Sequence, residues 1–275
     1  MVKLKSALAN IYSLLIYAFL YIPIVVLIVF SFNDSKYRGN WSGFTLRWYQ
    51  DLFSDPDIMS ALYTTFVVAI ISSILATVIG TITAVGIHSL KPRYKKLFIN
   101  LTYIPMISPD IVIGISLLTL FVMLKLNLGY ITLILAHITF NIPYVIFAVL
   151  PKLQQLDPHL EEAALDLGAT PFQAFFKVIL PEITPGILTG ALMAFTLSLD
   201  DFMVSFFTTG SGVATLSIKI YSMTKRGVSP TINALSSIMF IVLLTIMCIV
   251  QIKQNKEPKR VYVKPNAEQE LSEII

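Results

Sequence analysis

Long runs without a charged side chain alternate with short charged segments along the chain. Residues 6–33, 58–90, 126–151 and 227–252 contain no Asp, Glu, Lys or Arg, residues 97–124 contain Asp110 alone, and residues 183–218 contain only Asp200 and Asp201. About 20 apolar residues rising 1.5 Å each cross a hydrocarbon layer of ~30 Å, so each run predicts a membrane-spanning helix and the set predicts six. The first run follows Lys3 and Lys5 as a signal peptide would. It is too long for one, however, and ends in Phe32-Asn33-Asp34 without a small-x-small cleavage site, so it reads as an uncleaved span. Trp41, Trp48 and Tyr49 in the connection over 34–58 suit an interfacial segment at headgroup level. The tail after residue 252 is charged and carries Pro258 and Pro265, which predicts disorder. The expected organisation is one all-α transmembrane domain over 1–252 and a charged tail over 253–275.

Composition sharpens this. Of 275 residues 56% are hydrophobic and 13% charged, against about 25% charged in ordinary soluble domains, which excludes a soluble globular protein. The net charge of +4 points to no nucleic-acid partner, because the basic residues lie between apolar runs and not on one soluble face; membrane lipid is the expected surroundings. Cys248 is the single cysteine, which excludes an intrachain disulfide and a cysteine-based zinc site. Lys3, Lys5, Lys91, Arg93, Lys95, Lys96, Lys152, Lys177, Lys253, Lys256, Lys259, Arg260 and Lys264 fall on the side of the termini; Lys36, Arg38, Arg47, Lys125, Lys219, Lys225 and Arg226 fall on the other. The positive-inside rule makes both termini cytoplasmic.

The cytoplasmic segment 152–182 is more than a connection. Asp157 can cap a first short helix with Pro158 at its first position, and Gly168 supplies a left-handed stop. Thr170, Pro171 and Gln173 form a capping box for a second helix, which Pro181 is expected to end. Ala163, Ala164, Leu167, Phe172, Phe175 and Phe176 give this hairpin more apolar surface than a solvated link needs, which points to a docking surface.

Glu162-Ala163-Ala164, then Gly168 after three intervening residues, and Val178-Ile179-Leu180-Pro181 resemble the EAA loop of inner-membrane permeases in binding-protein-dependent ABC importers. Val178 stands where that pattern usually has Ile. Tyr21-Ile22-Pro23-Ile24, Trp41 to Tyr49, Ser108 to Val112, Ala136 to Phe140, Ser198 to Asp201 and Lys219 to Met223 narrow the resemblance to the spermidine/putrescine permeases of that family. The resemblance implies the type I ABC importer permease fold, a bacterial inner-membrane location, a homologous second permease, a dimer of cytoplasmic ATPases, a periplasmic polyamine-binding protein and a small cationic substrate. It implies no cofactor in this chain, with ATP and Mg2+ on the partner ATPase. It also assigns coupling to Glu162, Ala163, Ala164, Gly168, Leu180 and Pro181. The chain itself has no Gly-x4-Gly-Lys-Ser/Thr, so it cannot cradle ATP in the usual loop.

Asp110, Asp200 and Asp201 carry the substrate question. A central membrane carboxylate costs roughly 2.5 to 3.5 kcal/mol, so it usually faces a cavity or a partner. Counting from the cytoplasmic ends puts all three at similar depth in the outer half. They can attract ammonium groups, helped by the faces of Tyr103, Phe202, Phe206 and Tyr221; alternatively they cap broken helices, with Ser108-Pro109-Asp110 as a helix start, and Asp200 and Asp201 lie at the outer interface. His88 and His137 read as hydrogen-bonded structural residues, and Asn141 as a partner for backbone freed by Pro143 or as pathway lining. No nucleophile and base arrangement or HExxH is present, so the chain is read as non-catalytic. A permease for another small solute, and a proton-coupled transporter or channel, remain as alternatives.

Overall fold

The computed structural model describes residues 2–35, 40–226 and 230–256. Among them the chain is helical, with a single isolated bridge between Asn33 and Phe44. Five helices are long and apolar enough to cross a membrane: Asn10–Phe30 within α1 (Val2–Phe30), α3 (Pro56–Ser89), α6 (Tyr130–Gln154), the helical stretch Pro171–Asp200, and Pro230–Ile249 within α12 (Pro230–Lys256). A sixth crossing exists if α4 (Pro92–Ile107) and α5 (Asp110–Met123), bent by 102° at their junction, count as one span.

That bend breaks the third charge-poor run, which the count of six took as one span, just ahead of Asp110. The residue before a proline is driven out of the α region, and Ser108 ahead of Pro109 is extended (φ −68°, ψ 140°). The fifth run is also shorter than expected: its helix ends at Asp200, and α10 (Met203–Thr208) and α11 (Leu216–Arg226) take up the remainder. Trp48 of α2 (Arg47–Ser54) is 4% exposed and donates its indole N–H to the Asn33 carbonyl at 2.7 Å. It ties the connection over 34–58 to the chain's own backbone, whereas Trp41 stays exposed.

The core is the packing of α3, α6 and α9 (Leu180–Asp200). Ala76, Ala84 and Ile87 meet Val145, Ile146, Val149 and Leu150 of α6 and Ile183 and Ala194 of α9. Small residues set the approach of the backbones, as expected between membrane helices. A Cβ at Gly80 would lie 2.7 Å from Val145 Cβ, and one at Gly190 would lie 3.2 Å from Val145 Cα. A smaller cluster of Leu117, Phe121, Ala136 and Val204 joins α5, α6 and α10.

The chain forms one compact unit up to Ile238 and a second from Met239, whose described part is the remainder of α12. Residues 253–256 of the expected tail form the last turn of α12; residues 257–275 lie outside the described residues, as do Lys36 and Arg38 of the charge bias.

Candidate functional site

Two places carry the chemistry. The first is a cleft of about 330 Å³ lined by Asp110, Phe140, Tyr144, Leu197, Asp200, Asp201, Phe202, Met203 and Val204. Breaks in three elements build it: α5 starts at Asp110, α9 ends at Asp200, and α10 starts after Phe202. All three aspartates line this cleft.

Their environments differ. Asp110 occupies the first turn of α5, but its side chain caps nothing, so the capping reading fails for it. Asp200 is exposed at the C-terminal end of α9, where the negative end of the helix dipole disfavours an anion. Neither carboxylate takes part in a hydrogen bond or an ion pair with the described residues. Asp201 is the opposite case: its side chain is 8% exposed, its Oδ1 accepts from Val204 N at 3.2 Å and its Oδ2 from Ser205 N at 2.7 Å. The capping alternative therefore describes Asp201 and leaves Asp110 and Asp200 as the free acids.

The aromatic expectation is met in part. Phe202 lines the cleft, and its ring centroid lies 5.5 Å from Phe206 and 4.8 Å from Tyr221, so these three form a cluster beside the acids. One face of Tyr221 already carries the Lys225 ammonium at 4.8 Å. Tyr103 is elsewhere, packed on Phe147 at 4.1 Å and absent from the cleft lining. Phe140 and Tyr144 line the cleft without having been expected there. The spacing of His137, Phe140, Asn141 and Tyr144 at three and four residues marks one helical face, and that stripe was the available signal.

Behind the cleft lies a buried polar layer. His137 has no exposed surface; its Nε2 is 3.0 Å from Ser205 Oγ and 3.6 Å from Asp201 Oδ2. The trio has the composition of a catalytic triad but not its geometry. In a triad serine and carboxylate use opposite ring nitrogens, whereas here both approach Nε2 and Nδ1 has no partner. Asn141 does not serve backbone freed by Pro143: its Nδ2 donates to Ser198 Oγ at 2.7 Å, and Ser198 Oγ lies 3.1 Å from Ser72 Oγ. His88 sits at the end of α3 with its Nδ1 3.4 Å from Lys95 Nζ.

The second place is the hairpin. α7 (Leu160–Asp166) is flanked by His159, not Asp157; Asp157 Oδ1 accepts from the His159 N–H one turn earlier, at 2.9 Å. Gly168 has φ +83°, the left-handed stop that was expected, and Thr170 and Gln173 form the reciprocal capping box. Pro181 does not end the second helix. α8 (Pro171–Ala174) passes through a π-turn over Phe175–Ile179 into α9, and the Leu180 N–H bonds the Phe175 carbonyl five residues back. This wider register shifts the ladder just where Pro181 has no N–H to offer.

Glu162 is exposed and pairs with His159 Nδ1 at 3.1 Å. That hydrogen bond and the Glu162 charge, with Asp157 adding to them, raise the His159 pKa above its ordinary value. The charged pair is therefore present below the free-histidine value and is lost as pH rises through the raised one. Ala163 is exposed, but Ala164 is buried against its own hairpin, so only the first of the two alanines can admit another surface. Gly168 and Pro181 are exposed and Leu180 packs against the core. Leu167 at 90% and Phe172 at 72% exposure leave an uncovered apolar patch beside Glu162.

Residues 76–255 match the family described as binding-protein-dependent transport system inner membrane component. The chain is 44% identical over 232 residues to the spermidine/putrescine transport system permease protein PotC of Escherichia coli strain K12, covering 84% of this chain and 88% of that protein. It is 40% identical over 232 residues to the putrescine transport system permease protein PotI of the same strain, covering 82% and 83%. A crystal structure of a bacterial ABC transporter involved in the import of the acidic polysaccharide alginate contains a similar chain, with TM-score 0.71 and 17% identity over 93% of this chain and 96% of that one; this likeness shows the fold.

Proposed function

Because the chain belongs to the family of binding-protein-dependent transport-system inner-membrane components, the non-catalytic permeases of ABC importers, we propose that its cargo is a polyamine, spermidine or putrescine. The observation that carries this reading is the pair of free carboxylates, Asp110 and Asp200, on one cleft beside Phe202. A flexible chain of ammonium groups meets there both the counter-charges and the ring faces it needs. The similarity to two polyamine permeases supports the same cargo. A neutral solute would leave two unpaired acids in the cleft, and an anion would be repelled by them.

The chain works as one half of a pathway completed by a homologous second permease. A periplasmic binding protein delivers the polyamine, and a dimer of cytoplasmic ATPases holding ATP and Mg2+ docks on the hairpin at Glu162, Ala163, Gly168 and the patch of Leu167 and Phe172. The membrane domain extends to about residue 252. Loss of this chain abolishes uptake of labelled spermidine and putrescine into cells, and its re-expression restores both. Restoration of a neutral or acidic solute in place of these amines would overturn the cargo.

In this arrangement both termini and the hairpin are cytoplasmic in a bacterial inner membrane. Single cysteines at Ser42 and Gln155, both exposed, then react with an impermeant maleimide from opposite sides, Ser42 from the periplasm, after Cys248 is replaced by Ala. Labelling of both from one side would sink the orientation.

A further inference from the structure

Asp200 makes no bond of its own, yet the residues on both sides of it are tied to α6. On the near side Ser198, in the last turn of α9, accepts from Asn141 Nδ2 at 2.7 Å. On the far side Asp201 and Ser205 converge on His137 Nε2, at 3.6 Å and 3.0 Å. His137 and Asn141 are one turn apart on α6, and Phe140 between them lines the cleft floor. One face of one helix therefore grips the α9–α10 break twice, and Asp200 is the residue left pointing free.

We propose that His137 is a positioning and specificity-determining residue: through Ser205 and Asp201 it fixes the break that holds Asp200 opposite Asp110, and so sets which spacing of ammonium groups the cleft accepts. This rests on reading the cleft as the polyamine site.

The three groups form a closed ring. Ser205 donates its backbone N–H to Asp201 Oδ2 at 2.7 Å, and its hydroxyl oxygen lies 3.0 Å from His137 Nε2. The carboxylate lies beyond hydrogen-bond range of the ring nitrogen, so its attraction is electrostatic, and it favours the tautomer with the proton on Nε2. That proton is donated to Ser205 Oγ, and Nδ1 remains an acceptor without a partner. Asp201 is the charged group that faces the imidazole. An apolar side chain at 137 leaves the Ser205 hydroxyl buried without its partner and removes the ring that Asp201 faces, so the break relaxes toward any group that can satisfy the hydroxyl. Asp200 moves with it.

In a binding-protein-dependent importer the apparent KM reflects delivery, so the informative readout is selectivity. Initial uptake of labelled spermidine and of labelled putrescine is measured in proteoliposomes holding the complete complex with an unaltered binding protein. Each rate is normalised to ATP hydrolysed. His137→Leu is expected to change the ratio of the two rates by about threefold or more. His137→Gln places an amide N–H near the position of Nε2 and is expected to keep the parental ratio. A merely structural loss lowers both substrates equally and leaves the ratio alone.

An unchanged ratio in His137→Leu, or equal changes in the Leu and Gln variants, overturns the proposal. Where His137→Leu yields too little complex, Ser205→Ala removes the partner hydroxyl and decides the matter: a changed ratio supports the proposal and an unchanged one overturns it. Asp200→Asn in the same assay separates the two levels of inference. If it abolishes uptake while the ratio resists change at 137, the positioning role alone fails; if it leaves uptake of both amines intact, the reading of the cleft fails.

Discussion

Asp200→Asn lowers the initial rate of spermidine uptake by about ten- to a hundredfold, normalised to membrane-inserted complex, without loss of assembly. The substitution keeps size and shape and removes only the charge. Asp200 is exposed, bonds nothing among the described residues and sits at the unfavourable end of α9, so folding does not need its charge; removing it relieves a small dipole repulsion. A bound ammonium does need it, because a charge-assisted hydrogen bond contributes roughly 1.5 to 3 kcal/mol and a neutral amide offers only a dipole. Asp110→Asn shows a smaller loss, since that carboxylate stands in the first turn of α5, where the positive end of the helix dipole already offsets part of its field. Asp201→Asn has a different signature. Both of its oxygens accept backbone N–H groups and an amide has one oxygen, so the start of α10 loosens and the amount of assembled complex falls. Uptake within about twofold of the parent for Asp200→Asn, under ~0.5 kcal/mol, would place the cation site elsewhere.

The contrast among the three aspartates shows where a sequence reading stops. Charge-free runs place the helices, because a 20-residue apolar stretch has few other homes. The punctuation of the hairpin is also legible: Gly168 at φ +83° and the box of Thr170 and Gln173 are local devices, set by residues within a few positions. What was not legible depends on register and on distant partners. Pro181 reads as a stop until the π-turn at Phe175–Ile179 shifts the ladder around it. The run over 97–124 reads as one span, with a broken helix at Asp110 as the alternative, and proves to be bent by 102°. Asp200 and Asp201 are neighbours of one chemistry, and only the placement of α10 makes one a cap and the other free. Trp48 satisfies an interfacial pattern, yet a carbonyl 15 residues away at Asn33 takes its indole N–H. Aromatic composition near an acid does not place a ring there either: Tyr103 packs on Phe147, whereas Phe140 and Tyr144 line the cleft from α6.

Glu162→Lys and Gly168→Val both abolish uptake while leaving the chain inserted in the membrane. The reason lies in continuity: Pro171–Asp200 is one helical stretch of 30 residues, about 45 Å at 1.5 Å per residue. On the proposed docking, a displacement of the hairpin would be carried along a single rod whose far end is the cleft carboxylate. Glu162 is one of the exposed charges on that hairpin and pairs with His159, so a reversed charge leaves the fold intact and repels whatever cation met the carboxylate. Gly168 acts through the backbone. A Cβ there meets nothing within 4 Å, so the obstacle is not space. The left-handed conformation costs a β-branched residue roughly 1 to 2 kcal/mol or more, enough to re-form the turn and rotate α7 against α8. Asn tolerates that conformation, so Gly168→Asn keeps most of the uptake that Gly168→Val loses, which separates backbone strain from contact with a side chain. Under the proposed docking of an ATPase on the hairpin, substrate-stimulated ATP hydrolysis falls with uptake in both disabled variants. Normal uptake together with normal stimulated hydrolysis in Glu162→Lys and Gly168→Val would remove the coupling role from this hairpin.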